Sequence, residues 1–382
     1  MNPIHIYIHW PFCKSKCPYC DFNSHVRESI NESTWLEGYL KEIDYFQDII
    51  KNRTIKTIFF GGGTPSLMSP STVKTIIEKL RSLSHFENIE ITLEANPTSS
   101  EAEKFEGFKK AGVNRLSIGV QSLIEKDLKF LGREHSSDEA IKVIEFAAGI
   151  FDNYSFDLIY ARPDQKLEDW ELELRHALKY VKNHISLYQL AIEKGTKFYT
   201  DVKNKKFSIP EQEKALEFYS LTNRILKEKG LLRYEISNYS LKGKESLHNL
   251  GYWEYREYLG IGAGAHSKVK IDDKLHHIMM IHNPEKWLES TNQLSHGIQK
   301  KQKMTMNEII LEYLLMGLRL EEGVSLKHFN TSFSTDVTKF ISEEKIIFFE
   351  KHNFLTYNNK DILKLTNSGK LLLNNIVSEI LL

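Results

Sequence analysis

The stretch Ile4-His-Ile-Tyr7-Ile-His9-Trp-Pro-Phe-Cys13-Lys-Ser-Lys-Cys17-Pro-Tyr19-Cys20 decides how the rest of the chain is read. Residues 4–9 form a short run rich in β-branched and aromatic residues, the pattern of a buried strand. It leads into a loop carrying all three cysteines of the 382-residue chain. An odd number of cysteines leaves at least one unpaired, so they form no disulfide framework. Their spacing is C-x3-C-x2-C. Three thiolates on one tight loop can hold three corners of a cluster. A structural zinc normally takes four protein ligands, and no Cys or His stands at the spacing to complete such a site, although His9 and His25 are near. A [4Fe-4S] cluster on three thiolates leaves one iron open to a small molecule. Lys14 and Lys16 favour the thiolate state.

From this start to about residue 240, short β-rich runs alternate with amphipathic segments. Strands are predicted at 4–9, 56–60, 89–95, 115–118, 154–159 and 185–190. Helices are predicted near 34–50, 71–83, 99–111, 137–149, 166–183 and 211–229. Such repeats imply parallel strands with right-handed crossovers. The expected fold is α/β, a partial (β/α)6 TIM-like barrel. In such folds functional residues sit at the C-terminal strand ends. Gly61, Gly62, Gly63 and Thr64 follow one strand, Glu94 closes the next, Gln121 follows a third and Asp157 lies near the end of a fourth. The glycines are no phosphate loop, because no Lys-Ser/Thr pair follows at the required spacing. They let a backbone come close to a ligand.

Beyond residue 240 the pattern changes. Residues 243–270 are rich in Gly and aromatics and keep no clean period. Residues 282–382 read as mostly helical, with a β-like pair near 345–366, a winged-helix-like arrangement. The expected domains are 1–240, a linking segment 241–300, and 301–382. The last holds ten Lys/Arg and ten Asp/Glu, and the whole chain 51 of each. That balance argues against nucleic acid as partner. No apolar run approaches the ~20 residues of a membrane-spanning helix. The start lacks the basic and apolar regions of a secretory signal, so the expected location is cytoplasmic.

C-x3-C-x2-C after the first strand of an α/β barrel resembles the radical S-adenosylmethionine (SAM) superfamily. The ordered set Tyr7-Ile-His9-Trp-Pro-Phe-Cys13, Gly61-Gly-Gly-Thr-Pro-Ser66, Glu94-Ala-Asn-Pro97, Gly119-Val-Gln121-Ser122, Arg133 and Asp157-Leu-Ile-Tyr160 is similar to its coproporphyrinogen III oxidase-like branch. The resemblance implies that Cys13, Cys17 and Cys20 hold a [4Fe-4S] cluster whose open iron is chelated by SAM. It further implies that Tyr7, Tyr19, Gly62, Gly63, Thr64, Glu94, Gln121, Arg133 and Asp157 line the SAM site. A carboxylate there can accept from ribose hydroxyls or the methionine ammonium, and Arg133 can pair with the methionine carboxylate. Taken singly, Glu94 and Asp157 also read as helix caps, Arg133 as a surface charge, Gln121 as a loop polar group and Tyr7 as a core aromatic.

Within the branch, the dehydrogenases resemble C-x3-C-x2-C-x-C, with a fourth cysteine where this chain has Phe22. They also carry a longer N-terminal extension, whereas here twelve residues precede Cys13. His248-Asn-Leu-Gly-Tyr252-Trp253 resembles the H-N-x-x-Y-W motif of the HemW haem chaperones. A neutral imidazole can ligate haem iron, or His248 can be a hydrogen-bonded residue among packed aromatics. His266 in Gly-Ala-Gly264-Ala-His266 is a second candidate. The resemblance implies a haem chaperone serving respiratory haemoproteins, with membrane-surface association and a homodimer as further expectations. The alternatives are a radical SAM coproporphyrinogen III dehydrogenase, which would remove propionate carboxyls, and, behind it, a radical SAM tRNA-modifying enzyme. Whether the chain is an enzyme stays open at this point.

Overall fold

The computed structural model describes residues 3–51 and 53–382. Every strand predicted before residue 240 forms: β1 Pro3–Trp10, β2 Thr54–Gly62, β3 His85–Ala95, β4 Arg115–Gln121, β5 Asn153–Tyr160 and β6 His184–Gln189. They pair in parallel in chain order. Crossovers include the helices α1 Glu32–Tyr45, α2 Pro70–Leu83, α3 Ser137–Ile150 and α4 Leu167–Ala177. Asn31, Ser69 and Ser136 cap the first three, each side chain accepting from a backbone N–H of the first turn. Such a cap contributes about 1 kcal/mol. Successive strand residues face opposite sides. Ile4, Ile6 and Ile8 therefore join the apolar core with Tyr39 and Ile43 of α1 and Ile76 of α2. Their neighbours His5, Tyr7 and His9 turn to the other face.

The segment read as aperiodic adds structure to this sheet. A short helix, α5 Leu247–Trp253, is followed by β7 Tyr258–Ile261, which pairs in parallel with β1. Four residues including Gly260 are too few to show a period. The sheet continues antiparallel through β8 His266–Ile271, β9 Lys274–Met280 and β10 Ile298–Lys303. The reading of 282–382 as helices plus one late pair therefore missed β10, whose Ile-Gln-Lys-Lys-Gln-Lys is too polar to alternate. At the far side the short strands Asn238–Ser240 and Leu232–Arg233 close the order antiparallel to β6. All belong to one 12-stranded sheet whose two edge strands do not pair with each other. The barrel stays open.

The tail has its own core of Ile310, Leu314, Phe329, Ile346, Leu363 and Val377. It includes α6 Met306–Gly317, α7 Leu326–Phe333, α8 Glu343–Lys351, the hairpin of β11 Leu355–Asn358 with β12 Ile362–Leu365, and two closing helices, Asn367–Leu371 and Leu373–Ile380. The bridge Val324–Ser325 joins β12. Helix, strand, helix, helix and hairpin follow the winged-helix order. The hairpin is narrower than the predicted 345–366 because α8 occupies the first part of that range. Among the described residues, no helix is long and apolar enough to cross a membrane.

Candidate functional site

The cysteine loop leaves β1 and returns on itself. Phe12–Cys13 pairs in parallel with His25–Val26, and Cys20 N donates to Cys17 O at 3.1 Å. The loop after β2 lies against it: Gly63 N donates to Trp10 O at 2.7 Å and Thr64 N to Phe12 O at 2.8 Å. A Cβ on Gly63 would stand 2.6 Å from the Phe12 carbonyl oxygen, closer than contacting atoms allow. Glycine is thus required by the close approach of two backbones.

Each thiol has its own environment. Thr64 Oγ1 donates to Cys13 Sγ at 3.4 Å, and Arg133 Nη1 to Cys17 Sγ at 3.3 Å. Burial pushes the Cys13 and Cys20 thiols up. Arg133 Nη2 also donates to Asn96 Oδ1 at 2.6 Å and Gly119 O at 2.7 Å. Burial works against its charge, but Tyr19 and Cys17 beside it raise its affinity for the proton further. Among the described residues no three His, Cys, Asp or Glu side chains converge on a single ion. A cubane does not require that, because each thiolate binds a different iron.

Glu94 and Asp157 form the acidic floor. Gly62 N donates to Glu94 Oε2 at 3.2 Å. Burial, then the neighbouring Asp157, raises the Glu94 carboxyl to about 8. Burial raises Asp157 to about 6, with the Ser186 hydrogen bond opposing. Asp157 Oδ1 is buried without a hydrogen-bond partner. Two buried carboxyls, one holding an unpartnered oxygen, suit a cationic ligand. Gln121 ends β4 at φ 73°, where the β4–β5 register slips. This bulge turns its side chain toward the cleft.

The raised pKa of Glu94 has a consequence for ligand-free protein. A carboxyl whose folded pKa exceeds its unfolded value stabilises the fold below the unfolded pKa. That contribution is lost as pH rises through the folded value. Between roughly pH 4.5 and 8, the window set by the Glu94 values, wild-type stability should fall. Glu94→Gln should therefore melt higher than wild type at pH 8, by roughly 1 kcal/mol or more, and nearly equal to it at pH 5. Thermal melts at both pH values check this, and equal melting at pH 8 would refute it.

The structure brings Cys13, Cys17, Cys20, Tyr19, Gly62, Gly63, Thr64, Glu94, Gln121, Arg133 and Asp157 to one cleft. Two further predicted residues lie deeper in the barrel. Tyr7 packs inside the barrel, with its OH 3.0 Å from His9 Nδ1 and its ring stacked on Phe59. His248 is 1% exposed. Its Nδ1 lies 2.6 Å from Thr57 Oγ1, its Nε2 3.0 Å from Tyr252 OH, and its ring stacks on Phe59 at 4.8 Å. Both nitrogens are engaged, so His248 offers no lone pair to haem iron in this conformation. Hydrogen bonding among packed aromatics describes this side chain here.

Sequence reasoning also passed over Asn96 and Asn23. Asn96 bridges Arg133 and Thr64 Oγ1 (3.2 Å) and is held by Glu101, which accepts from Asn96 N at 2.8 Å. It lay within the quoted Glu94-Ala-Asn-Pro97 but had no role assigned. Asn23 ties the cysteine loop to the distant Ala263 O and His282 O, both at 3.0 Å. No local pattern reports such a contact.

The radical SAM superfamily is matched over residues 7–177, and the HemN C-terminal domain over residues 304–372. The first match implies a [4Fe-4S] cluster and SAM. Three thiols on one loop, an adjacent acidic floor and a buried arginine fit both. The fold is that of a solved structure described as coproporphyrinogen III oxidase (HemN) from Escherichia coli, a radical SAM enzyme. The likeness has a TM-score of 0.83 at 19% identity, over 99% of this chain and 89% of that one. "Radical S-adenosyl methionine domain-containing protein 1, mitochondrial" of Bos taurus is 36% identical over 85% of this chain and 74% of its own length. "Heme chaperone HemW" is 36% identical in Buchnera aphidicola subsp. Schizaphis graminum and 34% in Escherichia coli K12, each over 99% of this chain and 98% of that protein. At that identity and coverage, the chain belongs to the HemW family of radical SAM proteins.

Proposed function

We propose that this protein is a haem chaperone, binding haem and delivering it to respiratory haemoproteins, with a SAM-coordinated [4Fe-4S] cluster on Cys13, Cys17 and Cys20. The observation that carries the reading is the full-length similarity to proteins named haem chaperones. Phe22, at the place of the dehydrogenases' fourth cysteine, supports it. That side chain is 60% exposed at the cleft mouth.

In this reading Glu94 and Asp157 take the cationic end of SAM, Arg133 its carboxylate, and Gly62, Gly63 and Thr64 meet it through backbone and hydroxyl groups. Gln121 and Tyr19 complete the walls. When bound, cluster and SAM supply one-electron chemistry. Arg133 and Thr64 hold the thiolate positions by donating to sulfur. Tyr7 and His248 act as positioning residues: His248 anchors α5 to β2, and Tyr7 fixes His9, whose Nε2 lies 2.9 Å from Asn23 O in the cysteine loop.

The proposed domains are the radical SAM core over 1–240, a linking segment over 241–300 and a C-terminal domain over 301–382. The proposed location is the cytoplasm, with peripheral membrane contact and a homodimer as parts of the same proposal. Coproporphyrinogen III, SAM and a reductant, mixed anaerobically with cluster-loaded protein, should yield no protoporphyrinogen, while haem titration should show saturable binding. Steady porphyrinogen turnover would replace the chaperone reading with the dehydrogenase one.

A further inference from the structure

The proposed function requires a haem site, and the His248 nitrogens are engaged elsewhere. Iron ligation needs a side chain with a free lone pair at a surface that a flat macrocycle can reach. The sheet extension beyond β7 carries such groups. In antiparallel pairing, directly opposed residues share a face. His266 opposes Met279, and Lys268 opposes His277. Met279 in turn opposes Lys300 of β10. His266, His277, Met279 and Lys300 therefore lie on one face of β8, β9 and β10.

The His266 ring is central. Its centroid is 5.5 Å from that of His277 and 6.3 Å from that of His282. His266 and His277 are half-buried, and His282 and Lys300 are exposed. Among the described residues, none makes a hydrogen bond to a ring nitrogen of these three histidines, in contrast to His248. Burial, then the nearby His277 and His282, pushes the His266 imidazole below its usual range, which keeps it neutral. The face adjoins the cysteine loop, because Asn23 of that loop donates to His282 O. The exposed Phe22 precedes Asn23 and offers an apolar surface near the same edge.

The donor set selects the ligand class. No three metal-binding side chains converge here among the described residues, so a bare cation lacks a coordination sphere. Haem brings four equatorial nitrogens and needs one or two axial ligands. Resting on the haem-chaperone reading, we infer that haem docks on this face with His266 as its axial ligand and Lys300 facing a propionate. Ligands from a single sheet face approach one side of the macrocycle only. The opposite side stays open to a ligand from the recipient, which is what a carrier that gives up its cargo needs.

His277 is close enough to replace His266, so the decisive variant is His266→Ala/His277→Ala in the full-length, cluster-loaded protein. Haemin is titrated and the Soret band recorded. Wild type should show saturable binding with an imidazole-ligated spectrum. The double variant should bind roughly tenfold or more weakly and lose that spectrum, with iron and sulfide content unchanged. Added imidazole should restore the band. Lys300→Glu should weaken binding while keeping the spectrum. A double variant that titrates like wild type would overturn this placement alone. Wild type that binds no haem would overturn the chaperone reading and the placement with it.

Discussion

Cys17→Ala protein should leave anaerobic reconstitution almost free of iron and sulfide, where wild type takes up about four of each. The expected loss is all-or-none because the loop offers no substitute. Cys13, Cys17 and Cys20 are the chain's only thiols, and no other His, Cys, Asp or Glu joins them in a metal-binding group among the described residues. Two thiolates cannot hold three corners of a cube. Cys17 Sγ is also the sulfur to which Arg133 donates, so its removal takes away the arginine's sulfur partner. The fold should survive, since the cysteines are half-buried and the core of β1, β2 and α1 does not include them. Loss of the visible charge-transfer absorption with an unchanged far-UV circular dichroism spectrum is the expected pair of readings. A variant that keeps its iron and sulfide, or wild type that is loaded with zinc alone, would refute the assignment of the loop.

Glu173→Ala should destabilise the protein by about 3–5 kcal/mol, the range for breaking a buried ion pair from one side. Glu173 lies on the buried face of α4 beside Trp170 and Leu174, and its side chain is 1% exposed. It pairs with the equally buried Arg162. Its Oε1 also accepts from Ser122 Oγ at 2.6 Å and Leu123 N at 2.9 Å. Arg162 would be left with Asp127 at 3.1 Å as its only carboxylate, and the Leu123 amide would lose its acceptor. Glu173→Gln keeps one acceptor oxygen and should lie between. Urea unfolding followed by intrinsic fluorescence measures the change. A midpoint within 1 kcal/mol of wild type would count against the network. Ser122 follows Gln121 directly, so this variant should also weaken SAM binding in a structure that is still folded.

The barrel was legible because its strands are buried on both faces. Runs such as Thr-Ile-Phe-Phe at 57–60 announce themselves by composition, and capped amphipathic helices separate them. The cleft was legible for a related reason: a fold that gathers strand ends at one mouth turns linear order into proximity. Glu94, Gln121 and Asp157 met there as their places on β3, β4 and β5 required. What escaped was whatever depends on partners distant in sequence. The helix predicted over 34–50 breaks at Phe46 into Glu32–Tyr45 and Gln47–Ile50, and the pair predicted near 345–366 begins only at Leu355. β7 and β8 are short, glycine-rich or polar, and are strands only because β1 offers an edge. His248 carries a motif, but its burial beneath Phe59 and its contact with Thr57 come from opposite parts of the chain. Gly264 is legible only afterwards: it makes room for the Asn23 side chain.

The open barrel leaves a strand edge at each end, and unpaired edges invite other chains to add to them. At one end the edge is Leu232–Arg233, too short to template an incoming strand. At the other it is Ile298–Lys303, where lysines at 300, 301 and 303 line the exposed rim. An arriving strand would have to bury or displace that row of charges. Lys300, which would greet an anionic macrocycle on one face, therefore also joins Lys301 and Lys303 of the other face as a gatekeeper against fibrillar self-association. Any pairing of two copies is steered away from this rim, toward contact through side chains instead of a shared sheet.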